Sequence, residues 1–470
     1  MEGKIKVCII GAGASGITVA KAMKDLDIPF DCFEKGSDIG GNWRFGNDNG
    51  MSNIYKSLHI NTHRDRMQYA DFPMPKSYPD FPGHELILKY FQDYVDHFDL
   101  RKHIIFRTGV EKVEPIVKED FVVWKVTTDK NETRFYDAVV VANGHHWFER
   151  WPNPPIPGTE NFKGVIFHSH KYVDPQNPVN LINKKVVILG MGNSAMDIAC
   201  ELSNKAISKK VILSSRRGAW IIPNYMFGFP TDKFPGLMPP FVPYKIQRSI
   251  FSLLYRIAIG DLRKYNLPKP DHKIGEAHPT ISQDLLVRMG RGDILYKPMI
   301  TKYEGKTVFF ADGTYEEDVD AVIYCTGYDV KFPFFDDSLI QLLQIQGNDV
   351  PLYYRLFTPI FENLFFVGLI QPLGAIMPIA ELQGKWIGKY LMNQYQLPQK
   401  EKMWKWIEDY RNYVKKRYVA SPRHTMQVDF DVFLWHMKKE IKKGEKRAKI
   451  NPKINVKALS YEFDQAVSKV

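Results

Sequence analysis

A near-continuous apolar run that stops at a G-x-G-x-x-G turn heads this chain, "KIKVCIIGAGASG" (4–16), and recurs in variant form as "KKVVILGMGNSA" (184–195). Few sequence features restrict a fold as much. A run that is apolar at every position, rather than at alternate ones, reads as a parallel strand buried on both faces. The glycines permit a tight turn, backbone approach to a pyrophosphate, and close packing of helix on strand. The N-terminus of that helix then faces the phosphates. Each turn leads into a helix, "ITVAKAMKDL" (17–26) in the first case, and then a second apolar strand, "FDCFE" (30–34) or "KKVILSS" (209–215). Two such βαβ units predict an α/β chain with two Rossmann-like dinucleotide-binding domains, the second inserted in the first.

The residues that end the second strands set the two sites apart. Gly11, Gly13 and Gly16, with Ala14 and Ser15 between them, are followed by Glu34 and Lys35. An acid at that place accepts hydrogen bonds from an unmodified ribose, as in FAD or NAD. Gly190, Gly192 and Ala195, with Asn193 and Ser194 between them, lead instead to "SSRRG", which supplies Ser214, Ser215, Arg216 and Arg217 and no acid. Hydroxyls and guanidinium forks suit the 2′-phosphate of NADPH. The pair of loops is expected to hold FAD in an outer lobe and NADPH in an inserted one.

At 470 residues the chain is too long for one ordinary core. Two more apolar strands end in similar turns, "YDAVVVANG" (136–144) and "VDAVIYCTG" (319–327). The expected division is an FAD domain over 1–154 and 331–450, an NADPH domain over 155–216 and 296–330, an α-rich insertion over 217–295 and a basic tail over 451–470. The insertion is rich in Pro and aromatic residues and breaks the alternating pattern. Its amphipathic "IFSLLYRIAIG" (250–260) is expected to pack into a core rather than onto a membrane surface. Much of the net charge of +11 lies in "MKKEIKKGEKRAKINPKINVK" (437–457), expected to be a solvated, partly frayed tail rather than a nucleic-acid or membrane contact.

Cys8, Cys32, Cys200 and Cys325 form no CxxC pair, which argues against a disulfide framework and a zinc site and fits a reducing compartment. His145 and His146 have no Cys or acid at ligand spacing, so no metal is expected. The longest apolar stretch, "LFFVGLIQPLGAIMPIA" (364–380), is broken by prolines, glycines and Gln371, and reads as a buried strand followed by a cofactor-lining loop.

From about residue 4 to about residue 430 the chain resembles the flavin-containing monooxygenases, class B flavoprotein monooxygenases of the dimethylaniline monooxygenase type. The resemblance rests on "EKGSDIGGNWRF", "FKGVIFHSHKY", "GMGNSAMDIA", "CTGY", "LFFVGLIQPLGAIMPIAELQ" and "RHTMQVDF". Phe162, Gly164, His168 and Tyr172 occupy the family's F-x-G-x-x-x-H-x-x-x-(Y/F) fingerprint. Baeyer–Villiger relatives usually carry Trp at the last position, so Tyr172 favours the branch that oxygenates heteroatoms.

The resemblance implies a reaction in which NADPH reduces FAD and the reduced flavin reacts with O2. A C4a-hydroperoxyflavin then oxygenates an amine nitrogen or a sulfide sulfur. The cofactor carries the chemistry, and the protein positions it and excludes water. By the same resemblance Asn61 is the active-site amide. Thr62, Gly41, Asn42, Trp43 and Gln371 lie along FAD, and the fingerprint holds the nicotinamide lobe against the flavin lobe. The alternatives are Baeyer–Villiger oxidation of ketones by the same peroxide and a weakly coupled NADPH oxidase; a flavin disulfide reductase would need a close cysteine pair. The expected setting is cytoplasmic, with no nucleic acid and no transmembrane segment; peripheral membrane contact and a homodimer are left open.

Overall fold

In a computed structural model of the chain, residues 4–118, 121–419 and 425–458 are described. The chain folds as two compact units, Met1–Ser52 with Arg64–His145 and Val330–Val470, and Asn53–His63 with His146–Asp329. Asn53–His63, which the sequence division assigned to the first domain, packs with the second unit.

The first unit is built on a five-stranded sheet in the order Leu364–Phe366, Ala138–Val141, Val7–Ile10, Phe30–Phe33, Ile104–Ile105. Every pair is parallel, with Val7 opposite Phe30 on one side and Ala138 on the other. Val7, Cys8 and Ile9 are fully buried, as strands covered on both faces must be. The strand order reverses at Val7–Ile10, and in open α/β sheets the carboxyl end of such a strand is where a ligand crevice forms. The Gly11–Gly16 turn starts there. The helix Gly16–Asp25 is covered by Met377–Leu391, whose Gly384 lies so close that a Cβ on it would sit 3.2 Å from the Thr18 carbonyl oxygen.

The second unit repeats the plan: Ile294–Lys297, Lys210–Ser214, Lys185–Leu189, Ala321–Tyr324, Val165–His168, again all parallel. Each unit also carries a three-stranded antiparallel sheet, Val110–Val117 with Val122–Thr128 and Thr133–Tyr136 in the first, and Ile300–Glu304 with Thr307–Phe310 and Tyr315–Glu316 in the second.

Residues 217–295 belong to the second unit and have a small core of Ile222, Met226, Tyr255 and Ile274. Their longest element is the helix Tyr244–Ala258, and core packing holds for one of its faces, where Tyr255 lies in that core with Phe251 and Ile259 against it. Only Tyr255 of that helix is buried, while Ile246, Leu253 and Ile257 are 51%, 61% and 66% exposed. A second apolar stripe, Ile246, Ile250, Leu253 and Ile257, is turned away from that core.

The expectation of a solvated, frayed segment from 437 is corrected. Residues Phe430–Ile450 form one helix in which Met437 and Ile441 are buried, and Gly444 abuts the Tyr395 ring. Its lysines line the outer face of a packed helix. Residues 459–470 of the expected tail, and Arg423 and His424 of "RHTMQVDF", lie outside the described residues. The stretch 364–380 resolves into the strand Leu364–Phe366, the strand Gln371–Leu373 paired with Gln427–Asp429, and the start of the helix Met377–Leu391. Among the described residues no helix is long and apolar enough to cross a membrane.

Candidate functional site

The first turn is shaped by three backbone approaches. Gly11 has a φ of +101°, and a Cβ there would lie 2.7 Å from the Ala142 carbonyl oxygen. A Cβ on Gly16 would lie 1.8 Å from the Gly11 carbonyl oxygen, so only glycine lets the helix start against the strand. A Cβ on Gly13 would meet the Gly41 Cα at 3.4 Å, which brings the "GGNW" loop onto the turn. Gly41, Asn42 and Trp43 form a short 3-10 turn there, braced by an Asn47 amide that donates to the Gly41 carbonyl at 2.9 Å.

Ser15 caps the helix Gly16–Asp25 without any side-chain hydrogen bond, so no side chain claims its first N–H groups. Glu34 is buried at the end of the second strand. One carboxylate oxygen accepts from the Ala12 N–H at 2.8 Å, the other from the Gly36 N–H at 2.8 Å and the Asn49 amide at 3.2 Å. The donors fix the carboxylate orientation and take three of its four lone-pair sites, which leaves one on the oxygen facing Ala12 for a ribose hydroxyl. Lys35 points to solvent. This cradle fits the adenosine and pyrophosphate parts of FAD.

Asn49 and Gly368 went unpredicted. Asn49 sits in the polar run "GNDNGMSN", which gives no hint of its contact with a strand end 15 residues back. Gly368 has a φ of +74° and abuts Ser15, the Cβ position lying 2.1 Å from the Ser15 Oγ. Its only sequence signal is a glycine closing an apolar strand, as in "VANG" and "CTG". Gln371 is buried on the strand Gln371–Leu373.

The second turn is held from outside. Gly190 adopts a φ of +144°, and a Cβ there would lie 2.5 Å from the Cys325 carbonyl oxygen. The Asn193 side chain accepts from the Ile281 N–H at 2.9 Å, and the Thr280 hydroxyl donates to the Met191 carbonyl at 2.6 Å. The strand Thr280–Ile281 of the 217–295 segment therefore clamps the loop. Gly192 caps the helix Asn193–Leu202 with no side-chain bond, Ala195 is fully buried beneath it, and Ser194 lies in its first turn.

At the strand end the four candidates part company. The Ser214 hydroxyl donates to the Pro298 carbonyl at 2.6 Å and the Ser215 hydroxyl to the Arg217 carbonyl at 3.0 Å. Arg217 pairs with Asp271 at 2.6 Å. Arg216 is exposed and makes no ion pair among the described residues. Of the two adjacent guanidiniums one is therefore paired and the other is not.

Asn61 and Thr62 lie in the second unit, Asn61 half-buried and Thr62 buried. Asn61 makes no side-chain hydrogen bond among the described residues, so its donor and acceptor are both open. The fingerprint lies in the same unit. Phe162 packs on Tyr303 with ring centroids 5.0 Å apart, and Val165–His168 is the edge strand. His168 is fully buried between the rings of Trp151 and Tyr328, and burial lowers its imidazole to about 4. The Tyr172 hydroxyl donates to Glu201 at 2.9 Å. Burial pushes the Cys200 and Cys325 thiols up to about 12, well away from thiolate chemistry.

A family model for flavin-binding monooxygenase-like proteins matches residues 4–453. Flavin-containing monooxygenase 5 of Homo sapiens is 38% identical over 442 residues, covering 91% of this chain and 81% of that protein. Dimethylaniline monooxygenase [N-oxide-forming] 2 of Oryctolagus cuniculus is 36% identical over 414 residues, 85% of this chain and 75% of that one. The crystal structure of OTEMO in complex with FAD and NADP superposes with a TM-score of 0.71 at 19% identity, over 96% of this chain and 98% of that one. The chain belongs to the flavin-binding monooxygenase-like family. It is accordingly an NADPH-dependent flavoprotein oxidoreductase that uses FAD, O2 and a small-molecule substrate.

Proposed function

We propose that this flavin monooxygenase oxygenates soft nucleophiles, amine nitrogens or sulfide sulfurs, with FAD on the first unit's loop and NADPH on the second's. The observation that carries the assignment is the contrast between the two strand ends. A buried, backbone-braced Glu34 closes one and an unpaired Arg216 the other. The first repels a 2′-phosphate and accepts from a ribose hydroxyl; the second attracts the phosphate. The N-oxide-forming relative supports nitrogen as one target. In this reading the first unit is the FAD domain, the second the NADPH domain, and residues 217–295 brace the second loop.

FAD, when bound, supplies electron storage and O2 activation; NADPH supplies the hydride. The protein's own part is positioning. Asn61 presents a neutral amide that can donate to a polar oxygen and accept from a second donor, without an acidic proton of its own. Thr62, Gly41, Asn42, Trp43 and Gln371 are the residues assigned to the flavin in this reading.

Asn61→Ser and Asn61→Asp test it. Both should retain FAD and its reduction by NADPH, and lose product in favour of released hydrogen peroxide. Loss of one oriented donor in a water-poor site costs about 3 kcal/mol, roughly a hundredfold in the branching between product and peroxide. NADPH consumed, peroxide released and oxidised product are measured in one assay with an amine, a thioether and a ketone. An Asn61 variant that binds FAD and couples NADPH to product as the parent does refutes the role. Ester formation from the ketone, with none of the N- or S-oxide, would move the assignment to Baeyer–Villiger chemistry.

A further inference from the structure

The fingerprint's last residue does not end in the sheet. Val165–His168 pairs with Ala321–Tyr324, and the chain then leaves through the 3-10 turn Ser169–Lys171. The His168 Nδ1 braces that turn by accepting the His170 N–H at 3.1 Å. Gly164 sets the start of the strand, because a Cβ there would lie 2.8 Å from the Asp320 carbonyl oxygen. Strand, brace and turn together bring the fully buried Tyr172 ring against the helix Asn193–Leu202, where its hydroxyl meets Glu201.

That helix offers two acids. Asp197 and Glu201 are four residues apart and so share a face. The Tyr55 hydroxyl donates to Asp197. The Ser57 hydroxyl donates at 3.0 Å to the same Glu201 oxygen that accepts from Tyr172. The Tyr55 and Tyr172 rings meet edge to face, with centroids 6.1 Å apart. The Lys56 N–H donates to the Val173 carbonyl at 2.9 Å, and its ammonium pairs with Asp174 at 2.6 Å. Every one of these bonds ties residues 55–57 either to the helix or to the turn that carries Tyr172. Asn61 follows four residues after Ser57 and has no side-chain bond of its own among the described residues. Its place is therefore set by the segment that bears it.

We propose that Tyr172, Glu201, Tyr55 and Asp197 are positioning residues that latch Asn53–His63 to the helix of the second glycine loop and thereby fix the Asn61 amide. The inference rests on the reading of Asn61 given above. The geometry explains why one rigid element is used for both tasks. The N-terminus of the helix carries the loop, and the two acids lie about 6 and 12 Å further along the same axis, at a rise of about 1.5 Å per residue. A latch at that distance indexes Asn61 to the dinucleotide site without touching it. The fixed spacing of the fingerprint then serves to deliver a phenol to Glu201.

The test uses the FAD-loaded enzyme and four variants: Tyr172→Phe, Tyr55→Phe, Glu201→Leu and Glu201→Gln. Retained FAD absorbance certifies folding of the first unit and retained NADP+ binding that of the second, and the two Phe replacements keep the ring packing. Amide hydrogen exchange over 53–63 is read with and without NADP+, alongside the fraction of NADPH that reaches product. Removing a hydrogen bond to a carboxylate should speed exchange in that segment about tenfold or more, while FAD reduction by NADPH persists. Product coupling should fall in step with the exchange. Glu201→Gln, which keeps an acceptor oxygen, should restore most of the protection that Glu201→Leu loses. The proposal is overturned if Tyr172→Phe and Glu201→Leu leave exchange over 53–63 unchanged, or if exchange rises while coupling stays at the parent's value. Asn61→Ser separates the two layers of the argument. If Asn61→Ser uncouples the enzyme and the latch variants do not, only the positioning role falls. If Asn61→Ser stays coupled, the reading beneath it falls as well.

Discussion

Coenzyme choice should rest on Arg216 and not on its neighbour, although the two are adjacent and chemically identical. Arg217 is already paired, its Nε 2.6 Å from an Asp271 oxygen, and it must give up that partner to reach a phosphate. Arg216 has no ion-pair partner among the described residues to give up. A charge-assisted hydrogen bond to phosphate contributes about 1.5–3 kcal/mol, so Arg216→Ala should weaken NADPH roughly ten- to hundredfold. NADH lacks the phosphate and should be almost unaffected, so the NADPH/NADH ratio of kcat/KM falls by the same factor. Arg217→Ala should lower the ratio less, because an exposed pair with Asp271 is worth at most about 1 kcal/mol and the site loses only a half-neutralised charge. Asp271→Asn should act in the other direction. It frees Arg217 and removes a negative charge near the phosphate, so NADPH binding tightens a few-fold. The assays are steady-state kinetics with both coenzymes and equilibrium binding of NADP+ by quenching of intrinsic fluorescence. An Arg216→Ala enzyme with the parent's NADPH/NADH ratio, or with equal losses for both coenzymes, refutes the assignment.

Two further outcomes follow from the same structure. Glu34→Ala leaves the buried Ala12 and Gly36 N–H groups without their acceptor, at about 1–3 kcal/mol each. Gly13→Val brings its Cβ into contact with the Gly41 Cα at 3.4 Å and adds two γ methyls to the face that the backbone must leave open for a pyrophosphate. Both proteins should purify largely without FAD, and full FAD occupancy in both would sink the first-loop assignment. His168 makes acid stability testable: burial lowers its folded-state value from 6.5 to about 4. A depressed value means its contribution is fully present above 6.5 and is lost as the pH falls through about 4. Between about pH 7.5 and 4.5 the parent should lose about 2.5 kcal/mol more unfolding free energy than His168→Gln in urea denaturation. Equal acid sensitivity of the two proteins would contradict this.

The elements that the residues could determine unaided are those whose causes are contiguous. Val7–Ile10 and Lys185–Leu189 are strands because every side chain in them is apolar or flanks a covered sheet. The turns follow because Gly11 and Gly190 occupy backbone conformations that other residues resist. Glu34 and Arg216 could be told apart at the strand ends because the motif carries its own register.

The tertiary structure decided what depends on distant partners. Arg217 differs from Arg216 only through Asp271, 54 positions away. Asn53–His63 goes with the second unit because Tyr55, Lys56 and Ser57 find their partners at 197, 173–174 and 201. One face of Tyr244–Ala258 packs on a small core while its other apolar stripe is exposed, and the basic helix Phe430–Ile450 is packed where composition suggested a solvated tail. An amphipathic period says that a helix has an apolar face, and a charge run says that it has a wet one. Neither says whether another element lies against that face, because the covering surface comes from residues far along the chain and is set only when long-range pairing places them there.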